Sequence, residues 1–264
     1  MSGAEKEVKL AGGNVSDVYR SGNTVRRELK PESPKIHKLL KHLEGKGFIY
    51  APKFLGIDDK GREILSFIKG EAGNYPVKKY MWGDEALADI AKMLRLYHDA
   101  MSDFAFDDRW QPLDNTPPQY EVLCHNDFAI YNIVFNDKRP VGIIDFDVAG
   151  PGPRLWDIAY TLYTCAPLSR YNLLKTDGEP VYYDASTDAD RIKRRVSLFF
   201  EAYGEEIEGD YLEMVLLRLE GLCKTITRKA GEGDAAFQKM VADGHLEHYQ
   251  KEIRFIHTHG KEWF

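Results

Sequence analysis

Cysteine is scarce in this 264-residue chain: only Cys124, Cys165 and Cys223 are present. They are widely spaced, odd in number and form no C-x-x-C pair, which argues against a disulfide framework or a zinc site and suits a reducing cytoplasm. Long apolar runs are also missing, since nothing approaches the ~20 residues that span a bilayer. The opening MSGAEKEVKL is charged and lacks the apolar core of a secretory signal, so no membrane or export role is expected. A basic footprint for nucleic acid is absent as well, with a net charge of −6. Internal repeats and low-complexity segments do not occur. What remains is a composition ordinary for a globular protein, with 43% hydrophobic and 30% charged residues, long enough to bury a core.

Charge is unevenly placed. Residues 1–70 hold 14 Lys and Arg against 9 Asp and Glu, whereas the remainder holds 22 against 33. An excess of positive charge suits a polyphosphate, and a negative half suits a cationic second substrate. The plainer reading is that both are solvated faces.

The stretch from Cys124 to Tyr160, CHNDFAIYNIVFNDKRPVGIIDFDVAGPGPRLWDIAY, carries the chemistry. Its apolar runs Ile133-Val134-Phe135 and Val141-Gly142-Ile143-Ile144 flank the polar turn Asn136 to Pro140, a hairpin signal. Asn132 ends the loop before the first strand and Asp145 follows the second, so antiparallel pairing sets them side by side. An amide oxygen and a carboxylate there suit a hard cation such as Mg2+. Asp127, five residues before Asn132, faces the same place. Capping of turns would explain any one of these residues, but not the set in this order.

His125-x-Asp127-x-x-x-x-Asn132 followed by Asp145-Phe-Asp resembles the catalytic loop and metal-binding acid of the kinase superfamily. The form IIDFDVAGPGPRLWDIAY is more similar to the aminoglycoside phosphotransferase family, with its choline and homoserine kinase-like members, than to protein kinases. That resemblance implies an α+β, two-lobed, protein-kinase-like fold with a small antiparallel β-sheet N-lobe and a larger, mainly helical C-lobe. The lobes would be residues 1–70, for the nucleotide, and 71–264, for catalysis and the acceptor. It also implies a cytoplasmic enzyme moving the γ-phosphate of ATP (or GTP) to a small-molecule hydroxyl. Asp127 would be the base, His125 a buried prop beside it, and Asn132 and Asp145 the ligands of Mg2+. Asp157 would hold the catalytic loop, and Asp147 is better read as a turn cap than as a second metal contact.

Other elements follow in chain order. Leu10 to Arg20 and Thr24 to Arg27 read as strands around a glycine-rich turn. Against the kinase pattern G-x-G-x-x-G-x-V, residues Ala11, Gly13, Ser16 and Val18 fall at the marked positions, so one glycine of three is retained. Gly12, Gly13 and Ser16 are the phosphate candidates in that turn. Where the resemblance expects a strand lysine, the chain has Arg26 and Arg27; Arg26 is preferred for the cleft, because Arg27 shares a face with Val25. The glutamate expected on the next helix is missing: Lys35, Ile36 and His37 are the nearest residues. Ala51–Ile57 and Arg62–Ile68 complete a five-stranded lobe, in which the resemblance implies Ser66 to Ile68 as the purine hinge. Lys69 to Pro76 reads as the connection between lobes. Helical stripes then recur at Leu87, Ile90, Leu94, Tyr97 and Met101; at Ile192, Val196, Phe199 and Tyr203; at Leu212, Leu216, Leu219, Leu222 and Ile226; and at Phe237, Val241, Tyr249, Ile253 and Ile256.

For the acceptor, an aminoglycoside or another amino-alcohol is the leading expectation, its site in the helical half; Tyr163, Asp184, Asp188, Asp190, Glu201, Glu205, Glu206 and Glu208 could line it, but most such acids lie on exposed faces and none is singled out as a binding residue. Asp177 to Asp190 reads as an acceptor loop. A rival is a catalytically weak kinase-like binding, resistance or immunity module, motivated by the changed lysine–glutamate pair. A metal-dependent hydrolase would need more convergent His and Asp residues than the sequence supplies.

Overall fold

The computed structural model describes residues 7–10, 18–171, 181–206 and 209–264. Strands β1 (Val8–Lys9), β2 (Val18–Ser21) and β3 (Thr24–Glu28) are followed by helix α1 (Ser33–Gly45), then β4 (Phe54–Ile57) and β5 (Arg62–Ser66). They form one antiparallel sheet in the order β1-β2-β3-β5-β4. Helix α1 starts with a proline in its first turn, where the missing N–H costs no helical bond. Ile36, Leu39, Leu40 and Leu43 recur at helical spacing and are all buried. Burying each contributes about 1.5–3 kcal/mol.

The link between lobes is more ordered than its glycines suggest. Short β6 (Glu71–Ala72) pairs with the first strand of a later hairpin. Gly70 has a φ of 152°, and a Cβ there would lie 2.3 Å from the Phe135 carbonyl oxygen. Glycine is thus required for the chain to pass so close to the hairpin. Helix α2 (Asp84–Met101) buries Leu87, Ile90, Leu94, Tyr97 and Met101, the stripe expected from sequence. It leads to β7 (Val122–Cys124), and then to the hairpin of β8 (Ile133–Asn136) and β9 (Arg139–Ile143). Strand β10 (Gly150–Gly152) returns to pair with β7.

Helices complete the second lobe: α3 (Arg154–Cys165), α4 (Ala185–Tyr203), α5 (Tyr211–Gly231), α6 (Ala235–Ala242) and α7 (His245–His259). Two expectations change here. The stripe from Phe237 to Ile256 is two helices, broken at Gly244, whose φ is 81°. Within Asp177 to Asp190, the part from Ala185 onward is the first turn of α4, capped by the Asp184 side chain accepting from Ser186 N–H, so it is no open loop. Among the described residues no helix is long and apolar enough to cross a membrane.

Candidate active site

Strand pairing brings the sequence-predicted residues together. In the β8–β9 hairpin Ile133 lies opposite Ile143, and the Ile144 N–H donates to the Asn132 carbonyl (3.0 Å). Asp145 therefore emerges beside Asn132. Its φ of 67° is left-handed, a conformation costly for a non-glycine residue and concentrated at functional sites. Asn132 Nδ2 donates to Asp127 Oδ2 (2.7 Å) and to the Asp127 carbonyl (3.0 Å), which leaves the Asn132 amide oxygen as the atom for a cation. The Asp145 carboxylate and that oxygen are hard donors that fit Mg2+, an ion that commonly takes one or two protein groups and completes its shell with waters and phosphates. A self-contained cage is not built: among the described residues no three His, Cys, Asp or Glu side chains cluster as a metal site.

Asp127 is pushed up to about 6, first by burial, with the Asp145 charge adding and hydrogen bonds from Tyr131 and Asn132 opposing. Such a value places a carboxylate near the range useful for a general base. Asp145, open to solvent on one side but recessed among low-dielectric walls, is also raised, by desolvation and then by Asp147. His125 is fully buried against Phe128 and Phe146, and burial lowers it to about 4, so it is neutral. Its Nδ1 accepts from the Asp127 N–H (3.2 Å), which fits a prop for the loop. Asp157 on α3 accepts from the N–H groups of His125 and Asn126, both at 2.7 Å, and lies 3.3 Å from His98 Nε2. Burial alone would raise Asp157, but these hydrogen bonds hold it below its ordinary value.

The strand arginines and their partners sit otherwise than expected. Arg26 turns to Thr24 and Asp58, away from the cleft. Arg27 takes the inner place: it grips Asp147 with two nitrogens (2.7 and 3.2 Å) and also pairs with Glu63. Sharing a face with Val25, which packs on the core, is what directs Arg27 inward. Glu63 comes from β5, directly opposite Arg27 in the sheet, and is fully buried; His37 of α1 bonds its other oxygen. The lysine–glutamate pair is thus rebuilt, with the acid on a strand and histidine on the helix. Asp147 also accepts from Lys30 Nζ (2.7 Å), which makes it a clasp between lobes rather than a turn cap.

Ser66 ends β5 with its N–H given to the Lys53 carbonyl, and the Phe67 N–H goes to Asn23. Ile68 follows, its side chain against Gly142 of β9, where a Cβ would come within 2.7 Å of Ile68. Gly12, Gly13 and Ser16 lie outside the described residues. Of the acceptor candidates, Tyr163 is buried, with its ring 6.0 Å from that of Tyr160. Glu205 is spent on Arg95 and Arg154, and Asp188 on Arg191; Glu208 lies outside the described residues. Sequence reading missed Tyr131, whose hydroxyl donates to Asp127 Oδ1 (2.6 Å), and Arg218, buried behind the loop. An arginine three residues after buried Val215 on the inward face of α5 was the available signal for the second.

This is the two-lobed kinase-like fold of the aminoglycoside phosphotransferases, and the resemblance carried by Cys124–Tyr160 holds. Residues 75–190 match the family model described as APH, phosphotransferase enzyme family. Among solved structures, the GDP complex of aminoglycoside 2'-phosphotransferase-IIIa superposes with a TM-score of 0.61 at 15% identity, over 96% of this chain and 94% of that one. The Streptomyces rimosus aminoglycoside phosphotransferase APH(3'')-Id, bound to ADP and streptomycin, gives 0.54 at 16% identity, over 84% and 94%. A choline/ethanolamine kinase family protein from Mesorhizobium loti gives 0.56 at 15% identity, over 96% and 93%. In sequence, the chain is similar to the trifolitoxin immunity protein of Rhizobium leguminosarum bv. trifolii, 40% identical over 151 residues. That match spans 55% of this chain and 56% of the relative's length.

Proposed function

We infer that this protein transfers the γ-phosphate of ATP or GTP to a hydroxyl of a small molecule, in the service of resistance or immunity to an antibacterial compound. The observation that carries the reading is the convergence of Asp127, Asn132 and Asp145 at one end of the β8–β9 hairpin. Mg2+, when bound between Asn132 and Asp145, would neutralise charge on the phosphate oxygens, the main demand of phosphoryl transfer. Asp127 would orient the acceptor hydroxyl and take its proton. Arg27, already turned inward, is the cation for the phosphates, and it would exchange part of its hold on Asp147 for them. His125 and Asp157 keep the loop in place.

The likeness to an immunity protein favours a second reading, in which the fold sequesters a toxin without turnover. Calorimetric titration of ATP and GTP, with and without Mg2+, on wild type and Asp145→Asn separates the two. Mg2+-dependent binding that the substitution removes supports transfer. No nucleotide binding under any condition leaves the sequestering module.

A further inference from the structure

Asn126 stands between the buried His125 and the base Asp127, and the proposed chemistry gives it no part. It is 1% exposed, and its φ of 66° is left-handed. Glycine adopts that conformation without steric cost and asparagine tolerates it, so backbone shape alone does not call for a side chain here. The backbone is held on two sides: the N–H donates to Asp157 Oδ1 (2.7 Å), and the carbonyl accepts from Arg218 (2.6 Å). Nδ2 of the side chain donates to the Val148 carbonyl (2.9 Å), while Oδ1 is buried without a partner among the described residues. A buried acceptor left unpaired is costly, so what the amide contributes is that one donated bond.

Val148 comes three residues after Asp145, in the stretch that crosses from the β8–β9 hairpin to β10. At the start of this stretch the Ile144 N–H is fixed on the Asn132 carbonyl (3.0 Å), and at its end Gly150 pairs with Cys124 of β7, two residues before Asn126. A Cβ on Gly150 would lie 2.4 Å from the Gln111 carbonyl oxygen and 3.2 Å from Asn126 Nδ2, so the chain lies directly against the catalytic loop. Between these anchors it turns tightly, with the Ala149 N–H on the Phe146 carbonyl (3.0 Å), and Asp145 takes its left-handed conformation just before that turn. Arg27 and Lys30 hold Asp147 from the first lobe, whereas Asn126 holds the Val148 carbonyl from the second. The segment bearing Asp145 is strung between the lobes, and Asn126 is its tie to the loop that bears the base.

We propose that Asn126 is a positioning residue for the metal: by holding the Val148 carbonyl it keeps Asp145 beside Asn132 and couples the cation site to the loop of Asp127. This inference deepens the phosphotransferase reading and rests on it. Groups that orient metal-binding side chains typically change metal affinity by ~10–100-fold when they are removed.

Asn126→Gly tests the assignment, because glycine keeps the left-handed backbone and both backbone bonds and deletes only the amide. The nucleotide that wild type binds, ATP or GTP, is titrated by calorimetry into both proteins over a series of Mg2+ concentrations, with the matching nucleoside as a control that needs no metal. Bound Mn2+ is counted in parallel by electron paramagnetic resonance with the nucleoside diphosphate present. The Mg2+ requirement should rise roughly tenfold or more and the bound fraction of Mn2+ should fall with it, while nucleoside affinity stays at the wild-type value. An unchanged Mg2+ requirement, or nucleoside and metal-nucleotide affinities that fall together as the melting temperature drops, would mark a merely structural residue and overturn the proposal. Asn126→Asp keeps the shape but turns an oxygen towards the Val148 carbonyl, and it decides the matter if the glycine variant does not fold: a raised Mg2+ requirement supports the tie, and an unchanged or lower one overturns it. Failure of the underlying reading looks different, since wild type itself would then show no metal-dependent nucleotide binding, and this inference would fall with it.

Discussion

The two sides of Asp127 are built from opposite materials. On the side proposed for the phosphates, Arg27 and Lys30 pair with Asp147, Arg27 also pairs with Glu63, and His37 bonds the other Glu63 oxygen, so each of these groups has a partner within the protein. On its other side, the Tyr131 and Tyr160 hydroxyls and the Arg218 guanidinium replace them. Paired charge holds geometry before any ligand arrives, since removing one member leaves the other desolvated and alone. A row of hydroxyls is less committed, because each can donate or accept and a ligand hydroxyl can take the place of one of them. The first side suits a ligand that is always the same; the second suits one that must be chosen.

The largest effect that would sharpen this contrast comes from the shared centre. Asp127→Ala should slow turnover by ~10²–10⁴-fold while nucleotide affinity, read by calorimetry, stays near wild type. If affinity fell equally, the two sides would not be separable. Next, Glu63→Ala removes the buried partner of Arg27 and His37 and should destabilise the fold by about 3–5 kcal/mol in denaturant titration. Tyr131→Phe, on the other side, removes a hydroxyl from a network that can re-form and should cost only ~1 kcal/mol. A reversed order would break the comparison.

Acidity gives a third distinction. With Asp127 pushed up to about 6, kcat/KM should fall towards tenfold per pH unit below that value and level off above it. The sign for stability is opposite. A carboxyl raised on folding favours the fold below its unfolded value near 3.8, and that contribution is lost as pH rises through about 6. Asp127→Asn should therefore gain melting temperature relative to wild type as pH climbs from 4 to 7. A smaller effect still is expected far from the site, where Lys239→Ala breaks an exposed pair with Asp243 and should change stability by under ~0.5 kcal/mol.

Legibility followed sequence separation. Asp127 and Asn132 sit five residues apart and Asp145 follows one hairpin later, so local spacing and a turn were enough to unite them. The helical stripes of α2, α4 and α5 were legible for the same reason, because periodicity is local. Arg27 and Glu63 are 36 residues apart, and Arg218 and Asn126 are 92. Which face of β3 turns inward depends on how the sheet docks against α1 and the hairpin, and no window of sequence contains that. The choice of Arg26 failed on this point. Tyr131 was within the motif and was passed over because an aromatic beside Asn132 reads as packing until its hydroxyl is seen on Asp127.

A glutamate carried on a helix makes a lysine–glutamate contact conditional, since shifting the helix breaks it, and kinases use that shift as a control. Here the acid stands on β5, hydrogen-bonded into the same sheet as Arg27 and directly across from it. The distance between the two is fixed by strand spacing, not by the position of α1. Displacing α1 would withdraw His37 alone and leave the arginine still braced. This lever has been welded to its frame, so Arg27, the cation proposed for the phosphates, is one that helix movement does not switch off.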